Sequence, residues 1–211
     1  MKQRDPARVI RLTDTHEEML KATPLLRCYR AMAQSLRPNG RSLAESEFAE
    51  AYSLYKAAIA QGNAPRSAIG EWFVLVGEAF PALPIDEVES IIRRIIAGEL
   101  TSHEYEQLAE LHYRRGSSRS VDFLKRAIEL ASADDTERKA QLMFRVGSVH
   151  QAYGQYQEAV DLYEQIRTIW PDHAATLNNL AFIYAANMGQ AAKAEPIAGR
   201  ALELAPGNDN G

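Results

Sequence analysis

The last third of the chain sets large apolar residues three and four positions apart, the interval at which side chains return to one face of a helix. Over 140–173, which reads AQLMFRVGSVHQAYGQYQEAVDLYEQIRTIWPDH, Met143, Val146-Gly147 and His150 mark one such face, and Ala159, Tyr163 and Ile166 mark another before Pro171. Over 174–208 the same order returns as Leu177, Leu180-Ala181 and Tyr184, then Ala194, Ala198, Ala201 and Pro206, with one extra residue near Asn187 to Gly189. Small residues are needed where two helix axes approach closely, and Gly147 and Ala159 meet that need. Met143, Tyr163 and Leu177 fill the volume beside the crossing. The pattern predicts helix pairs, each closed by a proline that cannot continue its second helix. No run of alternating β-branched residues bounded by turns occurs, so no sheet is predicted.

Upstream the pattern persists with more variation. Over 102–135 it gives Tyr105, Leu108-Ala109, His112, Gly116 in a turn, then Leu124 and Ala127, with Ser132 to Glu137 as a lengthened connection. Over 67–99, Phe73, Val76-Gly77 and Phe80 form a first helix and Val88 to Ile96 an isoleucine-rich second one. Over 22–61, Ala51, Tyr55 and Ala58 suit a second helix after a long loop around Pro38-Asn39-Gly40. Ser42-x2-Glu45 and Thr101-x2-Glu104 read as capping boxes, and Asp14-x2-Glu17 as an acidic variant. Pro65, Pro81, Pro84, Pro171 and Pro206 all fall between predicted helices.

Two consecutive units in register, of about the 34-residue period, resemble the tetratricopeptide repeat (TPR) family over 140–173 and 174–208. The resemblance implies an all-α fold of tandem helix-turn-helix repeats stacked as a right-handed α-solenoid, or superhelix. It implies three repeats over 102–208 (102–135, 140–173, 174–208), two divergent TPR-like pairs over 22–99, and a helical lead-in over 1–21 that reads as the tail of a preceding repeat. In such proteins the first helix of each pair lines a concave wall along which partner peptides lie. Carried onto this chain, the wall includes Gln141, Phe144, Arg145, Ser148 and Gln151, then Asn178, Asn179, Phe182 and Ala186. Asn179 matches the position where relatives hold a peptide backbone with an amide that donates and accepts at once, and Arg145 suits a partner carboxylate. His103, Glu106 and Glu110 add an acidic stretch that points to a mixed-charge or basic partner segment. The Lys, Asn and Arg series by which some relatives grip a C-terminal carboxylate is absent, so chaperone tails are not expected ligands.

Composition narrows the function. With 24 basic and 28 acidic side chains and a net charge of −4, the chain has no general attraction to phosphate backbones, and nucleic acid is not an expected partner. The longest uncharged apolar runs, such as Phe73 to Gly77, fall far below the roughly 20 residues that span a bilayer, and no export signal opens the chain. No membrane insertion is expected, and a cytoplasmic location is. The single cysteine, Cys28, lies in an apolar stretch with no basic cluster to make a thiolate, so a buried or half-buried structural thiol is expected. His16-Glu17-Glu18 lacks a second histidine at the four-residue spacing of a zinc helix, and His112 and His150 occupy packing positions. The glycines form no phosphate loop, the serines at 117, 118 and 120 no nucleophile elbow, and the pairs Glu17-Glu18 and Asp134-Asp135 suit helix caps or solvent. No catalytic residue, metal or cofactor is expected. The reading is a non-enzymatic interaction scaffold that binds a protein or peptide partner. The alternative is a docking or regulatory segment of a larger multidomain enzyme or of a secretion or assembly protein. Because no polar capping helix follows Pro206, the further expectation is either a segment of a longer repeat protein or self-association through an uncapped end.

Overall fold

The computed structural model describes residues 5–65 and 68–204, and every regular element among them is helical. In order these are α1 (Pro6–Asp14), α2 (Glu17–Ala22), α3 (Pro24–Ser35), α4 (Arg41–Ala60), α5 (Ala68–Ala79) and α6 (Ile85–Ile96). They are followed by α7 (Ser102–Arg114), α8 (Ser120–Leu130), α9 (Thr136–Ala152), α10 (Tyr156–Ile169), α11 (Ala174–Phe182), a π-helical turn (Ile183–Asn187) and α12 (Ala191–Leu204). The chain divides into two compact units, Met1–Ser117 and Ser118–Gly211. The boundary falls in the turn between the two helices of the predicted 102–135 pair.

In the first unit α3 and α4 are the most closely packed pair, with Cys28, Ala31, Ala44 and Ala51 fully buried. Small side chains at the crossing let the two axes approach. The core centres on Trp72 of α5, which has no exposed surface. Its ring meets Phe48 and Phe73 edge-on at 6.4 and 5.1 Å and Tyr52 at 5.0 Å. Its indole N–H donates to the Phe48 carbonyl at 2.9 Å, so the one polar atom of a buried aromatic is satisfied.

The helix starts agree with the sequence at one capping box and depart from it at two. Thr101 caps α7 as predicted: its hydroxyl accepts from the Glu104 N–H at 3.3 Å, and the Glu104 carboxylate accepts from the Thr101 N–H at 2.7 Å. Glu104 is buried and also accepts from the Tyr52 hydroxyl. Burial pushes its carboxyl up, but hydrogen bonds from Thr101 and Tyr52 and the charge of Lys56 outweigh it, and the net shift is downward. The Ser42 box does not form, because α4 starts two residues too early, with Gly40 as its N-cap. A Cβ at Gly40 would stand 1.8 Å from the Gln34 carbonyl oxygen, so the chain must turn at that glycine, and Ser42 lies inside the first turn. Glu45 pairs instead with Arg41 and Arg94, each at 3.0 Å. Asp14 ends α1 rather than capping α2, and its carboxylate holds Arg30 at 3.0 Å.

In the second unit α9 packs on α10, α11 on α12, and α8 on α9. Gly147 of α9 lies against the ring of Tyr163 in α10, where a Cβ would be 2.6 Å from Cε1. Ala159, Tyr163, Ile166 and Leu180 are fully buried, as the repeat pattern predicts, and so is Ile183, which the pattern does not mark. The extra residue expected near Asn187 to Gly189 is absorbed slightly earlier, in the π-helical turn, where the Met188 N–H donates to the Ile183 carbonyl at 3.0 Å. Pro65, Pro81, Pro84 and Pro171 lie between helices, while Pro206 lies outside the described residues. Pro196, which the spacing did not single out, stands inside α12.

Two of the turns repeat a local device. α7 and α9 each end at a glycine in the left-handed region, Gly116 (φ 70°) and Gly154 (φ 73°), which only glycine adopts without cost. The next N–H reaches back to His112 or His150, Ser117 N–H and Gln155 N–H each donating at 2.9 Å. The same histidines hold the same residues through their side chains, Nδ1 of His112 at 3.0 Å from Ser117 Oγ and Nδ1 of His150 at 2.6 Å from Gln155 Oε1. The packing role expected of both histidines therefore includes fastening the turn.

Candidate partner-binding surface

The residues carried onto the inner wall lie on α9 and α11 and, for Ala186, in the π-helical turn. At their centre is a side chain from a third helix. Tyr163 of α10 is fully buried, yet its hydroxyl bonds three half-buried side chains. It donates to Gln151 Oε1 at 3.2 Å, accepts from Asn179 Nδ2 at 3.2 Å and lies 3.2 Å from Ser148 Oγ. The Ser148 hydroxyl in turn donates to the Phe144 carbonyl at 2.9 Å. Burial raises the Tyr163 phenol above its ordinary value, with the bonds to Ser148 and Asn179 pulling the other way, so the group stays a neutral hydroxyl. One buried hydroxyl thus joins side chains of α9 and α11.

Phe144 is half-buried, its ring 5.6 Å from that of Tyr163 and edge-on to His173 at 5.2 Å. His173, the N-cap residue of α11, also stacks near Trp170 at 4.5 Å and sets Nδ1 2.6 Å from Thr176 Oγ1. Burial lowers its pKa below the ordinary value. Asn178 and Phe182 are exposed, Phe182 by 56%, and Gln141 is exposed with its amide on Glu137 at 3.3 Å. These three make no hydrogen bond to the Tyr163 centre, whereas Ser148, Gln151 and Asn179 do. Arg145 is half-buried and already engaged within the chain. Sequence reasoning assigned Tyr163 to packing alone. The signal for more was a hydroxyl-bearing ring at a position that needs only bulk.

The acidic stretch expected on α7 is largely compensated inside the first unit. Glu106 is buried with His103 at 3.6 Å, and Glu110 carries Arg114 at 2.7 Å. His112 is fully buried, with Nε2 3.3 Å from Glu89, whose other oxygen takes Arg93 at 2.7 Å. Cys28 is buried as expected; desolvation, with a contribution from Glu71, pushes its thiol to about 12, far from a reactive thiolate. Asp135 caps α9 by accepting from the Arg138 N–H at 3.0 Å, and Glu17 and Glu18 pair with Lys21 at 3.5 and 2.9 Å. Among the described residues no three His, Cys, Asp or Glu side chains are placed to hold a metal ion. No helix among them is long and apolar enough to cross a membrane.

Two family models match the chain, one described as Foie gras liver health family 1 over residues 9–174 and one described as a tetratricopeptide repeat over residues 150–210. The chain is similar to the photosystem I assembly protein Ycf3 of Rippkaea orientalis, 26% identical over 145 residues, which cover 59% of this chain and 83% of that one. BtubC (BKLC) from P. vanneervenii superposes with a TM-score of 0.52 at 18% identity, over 96% of this chain and 90% of that chain. YrrB, described as a TPR protein with an unusual peptide-binding site, superposes with a TM-score of 0.51 at 17% identity, over 93% of each chain. These likenesses show the fold, an all-α tandem of helix-turn-helix pairs of the TPR α-solenoid class.

Proposed function

We propose that this chain, which belongs to the Foie gras liver health family 1 and is built of tetratricopeptide repeats, is a non-enzymatic scaffold that holds a partner protein segment against α9 and α11. The observation that carries the reading is the Asn179 amide held on Tyr163. Its Nδ2 is committed to the buried hydroxyl, while Oδ1 has no hydrogen-bond partner among the described residues and can accept from a peptide N–H. An amide whose orientation is already set loses little entropy when a ligand arrives. Phe182 and Asn178, exposed on the same helix, add an apolar contact and a second amide, and Gln141, Phe144, Arg145 and Ser148 supply the α9 side.

The names of two similar proteins support a role in protein contacts: Ycf3 is an assembly protein, and YrrB is described with a peptide-binding site. The Ycf3 likeness favours, as a second reading, a docking segment in an assembly process.

The test is affinity capture with the full chain and with Asn179→Ala, followed by mass spectrometry of what each retains. The variant keeps Tyr163 bonded to Ser148 and Gln151, so its melting temperature should fall by no more than about 2–4 °C, the equivalent of roughly 1 kcal/mol. Retention of at least one partner should fall by about tenfold or more, the scale of an interface hot spot. Equal retention of every partner by both forms would remove Asn179 from the surface.

A further inference from the structure

At the start of the first unit α1 packs on α3, and its first turns leave a groove of about 360 Å³ against the connection from α3 to α4. The groove lies off the row of first helices, because α1 precedes the repeated pairs and the opposite wall is a turn. Its apolar part is made by Pro6, the buried Ile10, Pro38 and Leu36. Among the described residues of this unit no large apolar side chain is more exposed than Leu36, at 64%. The turn that presents it is held in place. The Arg37 N–H donates to the Gln34 carbonyl and the Gly40 N–H to the Arg37 carbonyl, each at 3.0 Å. An apolar side chain on a fixed turn loses little entropy when a partner covers it.

Three charged side chains line the groove, and they do not cancel. Asp5 caps α1: its Oδ1 accepts from the Ala7 and Arg8 N–H groups at 3.0 and 3.2 Å, so its charge is set against the positive end of the helix. Among the described residues Arg11 meets only Asp5 Oδ2, at 3.8 Å, with both side chains more than half exposed. Arg37 reaches the Gln34 amide oxygen at 3.3 Å and has no carboxylate partner among the described residues. Arg8 adds an exposed cation one turn before Arg11. Lys2 and Arg4 precede Asp5 in the sequence, so residues 1–11 carry Lys2, Arg4, Arg8 and Arg11 against Asp5 alone, in a chain whose net charge is −4. An exposed leucine beside guanidinium groups without counter-ions attracts a carboxylate, which an arginine fork can hold through two hydrogen bonds.

We infer that the groove between α1 and the α3–α4 turn is a docking site for an acidic protein segment, one that sets an apolar side chain beside Asp or Glu. The apolar side chain covers Leu36 and the mouth over Ile10, and the carboxylate meets Arg37, with Arg11 across the groove. A phosphate backbone would use the cations but leave Leu36 uncovered, and a bilayer surface would not enter a concave groove. The preferred charge is opposite to that drawn from His103, Glu106 and Glu110 of α7, where Glu106 has His103 beside it and Glu110 has Arg114. Nothing in the site depends on α9 or α11.

The experiment pans a random-peptide library on the full chain, with counter-selection on Leu36→Glu, which puts a carboxylate at the mouth. Selected peptides are then measured by fluorescence anisotropy against the chain, Arg37→Glu and Arg11→Gln, exposed substitutions whose fold is checked by circular dichroism. The expected result is peptides with Asp or Glu near an apolar residue that lose about tenfold in affinity on Arg37→Glu and about threefold on Arg11→Gln. Changing their acid to Lys should restore binding to Arg37→Glu. Asn179→Ala, in the other unit, should leave all of these affinities unchanged. In parallel the chain is sedimented with phosphatidylserine vesicles and titrated with single-stranded DNA. The inference is overturned if no peptide separates the chain from Leu36→Glu, if those that do are basic, if Arg37→Glu binds them equally, or if vesicles or DNA bind through Arg37 in their place.

Discussion

Gly147 and Gly77 both let a neighbouring side chain rest on a helix backbone, yet what rests there differs. At Gly147 it is the Tyr163 ring, a rigid group with Cε1 2.6 Å from a built Cβ and a hydroxyl tied to Ser148, Gln151 and Asn179. At Gly77 it is the terminal Cδ1 of Leu111, at 2.5 Å, the far end of a flexible side chain. Alanine gains up to about 1 kcal/mol in helix propensity at either site, against roughly 1–3 kcal/mol for overpacking a group that cannot yield. Gly147→Ala should therefore lower the melting temperature and Gly77→Ala should leave it level or raise it, as measured by circular dichroism. A Gly147→Ala protein at least as stable as Gly77→Ala would contradict this account. His173 offers a second test. Burial lowers its folded pKa below the ordinary 6.5, so the unfolded chain takes up the proton first. Its contribution is intact above pH 6.5 and is lost as the pH falls through the lower folded value. His173→Asn should lose less stability than the natural chain between pH 7 and pH 5, measured by urea denaturation; parallel curves would exclude the residue.

At the scale of elements, the α9–α10 crossing is the part of the repeat that tolerates least. Ala159 has no exposed surface, and an arginine there would force a long charged side chain into the tightest approach. Ala159→Arg should cost several kcal/mol, the order of an overpacking defect joined to a buried charge. An unchanged melting temperature would mean that another residue occupies the crossing. The elements also show how far local spacing reaches. Thr101-x2-Glu104 caps α7 as read, because both partners lie within one turn and Tyr52 takes the other oxygen of Glu104. Ser42-x2-Glu45 has the same spacing but not the cap, because the contact of Gly40 with the Gln34 carbonyl starts the helix earlier. The extra residue before Gly189 was legible as an insertion, but its accommodation as a π-helical turn depended on how Ile183 and Tyr184 pack.

For the molecule as a whole, the two tryptophans report on different units, Trp72 on the first and Trp170 on the second. Trp72 has no exposed surface and is ringed by Phe48, Tyr52 and Phe73, whereas Trp170 is half-buried at the end of α10. Trp170→Phe should leave an emission that is shifted to the blue and quenched less by acrylamide than that of the natural chain. Equal quenching would place Trp72 outside the core. The sequence by itself determined the helical class, the buried thiol and the placing of Pro65, Pro81, Pro84 and Pro171 between helices. Each follows from intervals of three or four residues or from a backbone restriction that acts locally. What only the tertiary structure decided was which polar groups meet. Tyr163 joins Gln151 to Asn179, 28 positions apart in the chain, and Arg115 closes α5 through carbonyls more than 30 positions away. A helical period says which face a side chain is on, but a hydrogen bond also requires the partner's distance and direction, and those are set by how neighbouring helices pack.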